Sequence, residues 1–107
     1  MSYRVAVTAT AKANLRSYYL RAAAAAPVTA ARWLDRFEKA PATLSDSQLR
    51  CPLAPENDLV DVEVRQLRFG RRANAYRALF TIAGDEVRVL HVRRALRDTA
   101  TPEDLLG

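Results

Sequence analysis

The sequence predicts an α+β fold of order β-α-α-β-β-β, an antiparallel sheet with an α-hairpin packed on one face. Three observations carry this expectation. Apolar residues alternate with polar ones in four short runs, the first at 3–8 and the others at 60–69, 75–82 and 87–92. Between the first run and residue 40, apolar residues recur at helical spacing instead. Short turn-forming stretches join the last three runs, as an antiparallel meander requires.

The elements follow in order. Tyr3, Val5 and Val7 alternate with Arg4, Ala6 and Thr8, a short first strand. Thr8 or Thr10 can cap the helix that follows, because a threonine hydroxyl accepts from an unsatisfied first-turn amide. Ala11, Leu15, Tyr18 and Ala22 then form one stripe, and nothing breaks the helix before Pro27. The alanine run 22–26 either extends this helix or forms a loose linker. Pro27 suits the first turn of a second helix, where no amide donor is needed. Val28, Ala31, Leu34, Phe37 and Ala40 give that helix its apolar stripe, and Pro41 should end it. Leu44 can begin a further short turn, and 45–59 reads as a loop.

In the C-terminal half, Val60, Val62 and Val64 alternate with Asp61, Glu63 and Arg65. After GRRAN, Tyr76, Ala78, Phe80 and Ile82 alternate with Arg77, Leu79 and Thr81. Gly84-Asp85 marks a tight hairpin turn into the last strand, and Pro102 can open a short terminal helical turn. A chain of 107 residues suits one domain, 1–107, whose core needs neither disulfide nor metal. The lone Cys51 cannot form an internal disulfide, and its loop position beside Pro52 suggests no chemical role. The N-terminus lacks the apolar run of a signal peptide and no window is long enough to span a membrane. A cytoplasmic protein is expected.

Charge is unevenly placed. Residues 65–97 hold nine arginines against two acids, a net +7, which leaves −2 for the remainder of a chain of net +5. A local basic surface of this kind points to an anionic partner. Fifteen arginines against two lysines, with twenty alanines, also fit a GC-rich coding sequence in which arginine stands where lysine would serve.

Alternation assigns the strand faces. With Val60, Val62 and Val64 toward the helices, Glu63 and Arg65 turn away, and in the next strand Tyr76, Ala78, Phe80 and Ile82 meet the helices, which turns Arg77 away. Arg65 and Arg77 are thus expected to converge on one open face beside the RFGRR loop, with Arg68, Arg71 and Arg72 near them. The last strand is ambiguous, because Val87 and Val89 oppose Leu90 and Val92. Either His91 and Arg93 share the open face, or Arg88 and Arg94 do. Arginines on a solvated sheet face need no function, and this reading stands beside the functional one for Arg88 and Arg97. For His91 a structural role is the simpler expectation. One histidine and one cysteine supply no metal ligand set, and no phosphate loop, dinucleotide fingerprint or nucleophile elbow occurs.

The order of ANLRSYY, AARWLDRFEKA, RCPLAPEND and VEVRQLRFGRRANAYRALFTIAGDEVRVLHVRRA resembles the RelE/ParE superfamily of toxins from type II toxin–antitoxin (plasmid stabilisation) modules, over about residues 3–95. The resemblance implies a small bacterial toxin that inhibits growth and is held inactive by a cognate antitoxin. One branch cuts mRNA in the ribosome, and the ParE-like branch poisons DNA gyrase. By position, Arg65 and Arg77 match basic residues of the nuclease branch. Glu63 stands where that branch tends to carry another basic residue, and nothing after Arg94 is Tyr, His or Lys.

Metal-free RNA cleavage needs a base, an acid and a stabiliser of phosphorane charge. Arginine serves only the last, since its pKa lies above about 12. Glu63 and His91 would be the proton shuttles. The expected function is therefore gyrase poisoning through a basic surface comprising Arg65, Arg68, Arg71, Arg72, Arg77, Arg93 and Arg94. The alternatives are an mRNA endonuclease using Arg65, Arg77, His91 and Glu63, and a toxin fold kept only as an inactive binding partner. No cofactor and no membrane partner are expected.

Overall fold

Thr8 ends the first strand and starts the first helix. Its hydroxyl accepts from the Ala11 amide at 3.2 Å and donates to the Leu90 carbonyl at 3.1 Å. This one side chain caps the helix and ties its start to the last strand. The structure, a computed structural model, describes residues 3–39, 51–69, 75–95 and 100–106, and for residues 33 and 36–39 the backbone alone. The expected stop at Pro41, the turn at Leu44, and Arg71, Arg72 and Arg97 lie outside the described residues.

The described elements are β1 (Arg4–Val7), α1 (Ala9–Ala25), α2 (Pro27–Lys39), a 3-10 turn (Pro55–Leu59), β2 (Arg65–Phe69), β3 (Tyr76–Ala83), β4 (Glu86–Arg94) and α3 (Pro102–Leu106). The alanine run extends α1 to Ala25, and Pro27 opens α2 as its fixed φ allows. α1 packs on β4, and α2 packs on α1. In α2 the apolar stripe is rotated from the expected one: Ala30 is buried, whereas Val28 is 66% exposed. A helix that rests on another helix needs a small residue for close approach, which the i+3 pattern of larger residues hides.

The sheet order is β1-β4-β3-β2. Strands β2 to β4 form the expected antiparallel meander. The sheet as a whole is mixed rather than antiparallel, because β1 runs parallel to β4 with Val5 opposite Val87. That pairing joins residues some eighty positions apart, so no turn signal announces it.

Two features correct the face assignment. First, β2 begins at Arg65, not at residue 60. The stretch before it folds on itself: the Val64 amide donates to Asn57 Oδ1, and the Val64 carbonyl accepts from the Ala54 amide. The loop expected over 45–59 thus contains a 3-10 turn, and Val62 is 42% exposed. Second, β4 carries a bulge. Phe80 pairs with Val89 and Leu79 pairs with His91, which leaves Leu90 as an extra residue. Alternation therefore changes phase once. Val87 and Val89 face α1 before the bulge and Val92 faces it after, so the helix-side core holds all three with Ala11, Leu15, Ala78 and Phe80.

The other sheet face is covered too. Ala54, Val64, Leu79, Ala100 and Leu105 form a second small core there, flanked by Val60 and Leu90. It brings together the segment before β2, the face of β3 away from α1, and α3. The expected open face is a buried seam.

The β3–β4 hairpin turns at Gly84, whose φ is +62°. A side chain there meets no neighbour, so strain alone sets the cost of replacing it. Gly84→Ala should lower stability by about 1–2 kcal/mol, the cost of a left-handed L-residue, read as a lower urea midpoint with unchanged slope.

Candidate functional site

Residues directly opposite in a sheet share a face. Arg68 stands opposite Arg77, and Arg77 opposite Arg93. Three arginines therefore form one row across β2, β3 and β4, on the face away from α1. Arg65 stands opposite Phe80, which faces α1. The expectation that Arg65 and Arg77 converge on one face is thus corrected: the late start of β2 reverses its alternation and puts them on opposite faces.

At the centre of the row, Arg77 is 5% exposed and Glu56 is fully buried. The guanidinium donates to both carboxylate oxygens, Nη1 to Oε1 at 2.9 Å and Nη2 to Oε2 at 2.8 Å. Nη1 also donates to Gln66 Oε1 at 3.0 Å. Glu56 Oε2 accepts a further bond from the Ala100 amide at 2.8 Å. This pair joins the 3-10 turn, β3, β2 and the C-terminal segment. Burial alone would raise the Glu56 carboxyl, but the bonds from Arg77 and Ala100 hold it below the usual range. Arg77 is consequently occupied inside the protein. Nothing in the residue types marked Glu56 beforehand, since it sits in a run of turn formers.

Arg65 is likewise engaged internally. Its Nε donates to Glu63 Oε1 and its Nη1 to the Cys51 carbonyl, both at 2.7 Å. Of the four residues of the nuclease alternative, Arg65 and Glu63 form one pair, while Arg77 and His91 share the other face of the sheet. The structure does not gather all four. Arg68 and Arg94 are exposed at the same end of the sheet. Arg88, also exposed, pairs with Glu86 at 2.6 Å.

The bulge settles the ambiguous strand: His91 and Arg93 share the face of Arg77. Both line a cleft of about 340 Å³ beside the stretch of β4 that β1 does not cover. Helix α1 contributes Asn14, Ser17, Tyr18 and Arg21 to it, and Asp104 closes the far side. Asn14 Oδ1 accepts from the Val92 amide at 3.0 Å, which fixes α1 against this strand edge. Asp104 accepts from Arg93 Nη1 at 3.1 Å and from the Thr101 amide at 3.0 Å, while its own amide donates to the Thr101 hydroxyl. Thr101 and Asp104 thus form a reciprocal cap on α3, with Pro102 at its first position. The Thr101 amide bond holds the Asp104 carboxyl low, with Arg93 and His91 adding to it.

Two buried nitrogens of residues that line this cleft, His91 Nδ1 and Arg93 Nε, have no hydrogen-bond partner among the described residues. A buried polar atom left so costs about 1–3 kcal/mol. Burial pushes the His91 imidazole below 6.5, and Arg93 pushes it further. Tyr76, on the α1 side, is raised by burial, stacked on Phe69 and edge-on to Tyr18. Among the described residues no group of acids, cysteine and histidine could hold a metal ion, and no helix is long and apolar enough to cross a membrane.

The matching family model, the ParE toxin of the type II toxin–antitoxin system parDE, spans residues 5–99. The chain belongs to this ParE toxin family. A solved structure of the chromosomal ParDE TA system from P. aeruginosa is similar in fold, with a TM-score of 0.71 at 21% identity over 87% of this chain and 96% of that one. No curated protein sequence matches.

Two outcomes follow from the buried groups. Glu56→Ala should cost about 3–5 kcal/mol, because it strands the Arg77 charge. Glu56→Leu with Arg77→Met should recover much of that loss in chemical denaturation. Separately, a folded His91 pKa below the unfolded 6.5 means that the unfolded chain binds more protons once pH falls past that value. Stability should therefore drop as pH falls from 7.5 to 5.5, and His91→Asn should flatten that slope. Glu56 and Asp104 act in a lower window, beneath 4.5 and 3.8.

Proposed function

We propose that this chain is the growth-inhibiting toxin of a type II toxin–antitoxin pair, and that it acts by binding DNA gyrase rather than by cutting RNA. A cognate antitoxin holds it inactive. The observation that carries the choice of target is the division of the candidate nuclease residues. Arg65 and Glu63 are paired with each other, and Arg77 is consumed by Glu56. An in-line cleavage needs a base, an acid and a charge stabiliser around one phosphate. A binding poison needs only a surface of fitting charge.

Exposed charge at that end of the sheet comes from Arg68 on the face of Arg77 and Arg94 on the face of Tyr76, with Arg71 and Arg72 adjacent to Arg68 in sequence. Arg65 and Arg77 serve it indirectly, by holding the strands. The same charge suits an acidic antitoxin segment, so part of the antitoxin affinity should be lost at high salt. An antitoxin segment with apolar residues also has surface to cover, since Leu20 and Val28 of the helical hairpin are 55% and 66% exposed.

One observation favours a second reading. His91 and Arg93 line one polar cleft, so a ribosome-dependent nuclease could keep a proton carrier and a phosphate ligand there. The two readings separate cleanly. Purified protein in stoichiometric excess should inhibit supercoiling by gyrase, and its induction should cause filamentation without codon-positioned cuts in mRNA. Full supercoiling activity with cut mRNA on primer extension would replace the first reading with the second. No growth defect in a host lacking the antitoxin would leave only an inactive binding partner. Arg68→Glu with Arg71→Glu and Arg72→Glu should weaken both supercoiling inhibition and antitoxin binding by at least tenfold.

A further inference from the structure

We infer that the cleft between α1, β4 and α3 is a binding site for a phosphate group. The inference stands apart from the choice of target above, since it concerns a ligand and is tested without any toxicity assay.

The donors come from three directions. Arg93 is held from α3 by Asp104, which fixes the guanidinium, and its buried Nε has no acceptor among the described residues. His91 is 8% exposed, and its Nδ1 also has no partner among the described residues. From the opposite wall, Ser17 and Arg21 stand one helical turn apart on α1, so both reach the same cleft. Arg21 has no ion-pair partner among the described residues. Asn14 has spent its oxygen on the Val92 amide, which leaves its NH₂ as a donor.

The charge count selects the ligand. Arg21 and Arg93 against Asp104 leave the cleft with one net positive charge, and an anion there would favour protonation of His91. The groups facing His91 are Arg93 on its own strand, Asp104 from α3, Glu56 from the 3-10 turn, and Arg77 from β3. Glu56 and Arg77 satisfy each other, and Asp104 is bonded to Arg93 and Thr101. A bound anion therefore has Arg21, Ser17 and the Asn14 NH₂ along the α1 wall and Arg93 along the β4 wall. A phosphate group offers acceptor oxygens in more than one direction and takes guanidinium bonds readily. A carboxylate presents its two oxygens in one plane. The volume of about 340 Å³ lies at the small end of ligand pockets, with room for a group attached to the phosphate.

The chain has a single histidine, so its imidazole signals are an unambiguous probe. The experiment follows the His91 ring resonances by NMR while inorganic phosphate is added at constant ionic strength, with sodium chloride as the control. A nucleoside 5′-monophosphate and a short single-stranded DNA lacking terminal phosphates form two further arms. The expected result is a saturable shift with at least one of these, a rise in the His91 pKa on saturation, and at least fivefold weaker binding in Arg21→Gln. Ser17→Ala should weaken binding in the same direction. Both substitutions lie on exposed positions of α1, so the fold should persist, which the remaining spectrum checks. Saturation by phosphate or the monophosphate assigns the site to a free phosphate compound. Saturation by the DNA alone assigns it to a nucleic-acid backbone. A shift no different from that with chloride, or one unchanged by Arg21→Gln, overturns the inference.

Discussion

Like charges placed directly opposite in a sheet repel, and this sheet carries three of them in a row at Arg68, Arg77 and Arg93. The row is tolerable because the layer above it supplies acids. Glu56 grips Arg77 with two bonds, and Asp104 takes one from Arg93. Of the three, Arg68 is the exposed one. The 3-10 turn and the C-terminal helix are therefore more than loose connections lying on a sheet. They are the counter-charge of that sheet, and the small core of Val64, Leu79, Ala100 and Leu105 forms beside them. A buried ion pair is seldom the most stable way to fill a seam, and its desolvation cost is high. Here it ties four segments to one point, since Glu56 also receives the Ala100 amide and Arg77 also reaches Gln66.

The two sheet faces differ in what they hold. Toward α1 the sheet presents Phe80, Val87, Val89 and Val92, an apolar surface that a helix can cover without polar debt. Away from α1 it presents Arg68, Arg77, His91 and Arg93 beside Leu79, and the polar donors there must be met one by one. The bulge at Leu90 makes this division possible within a single strand. Without it, the valines on the two sides of Leu90 would fall on opposite faces, and His91 and Arg93 would share the face of Val87 and Val89.

Much of this was legible in the sequence, for physical reasons. The helices announced themselves through spacing, the Thr8 cap and Pro27, and the meander through its turns, all of them local signals. The family resemblance carried the toxin assignment, which rests on the whole order of elements. What could not be read was non-local. The parallel pairing of β1 with β4 has no sequence neighbour to reveal it. The start of β2 depended on Asn57 and Ala54 capturing Val64, and a shift of phase there moved Arg65 to the other face. The last strand looked ambiguous because it has two phases, and alternation cannot locate the extra residue between them. Glu56 was invisible for a related reason: a carboxylate in a turn-rich run looks solvated until its partner is known.

Two strand margins are incompletely paired, β4 beyond the end of β1 and β2 on its outer side, and side chains or short segments stand in for the missing neighbour there. On β4, where β1 stops at Val7, the Thr8 hydroxyl meets the Leu90 carbonyl and the Asn14 amide oxygen meets the Val92 amide. On β2, the Pro52 carbonyl accepts from the Gln66 amide, and Leu53 bridges to Arg65. A bare strand margin is a template for recruiting another chain, and repeated recruitment ends in fibres. Here both margins are furnished from within the same molecule, at the cost of a few residues. Along these two stretches the sheet offers another chain no row of free backbone groups.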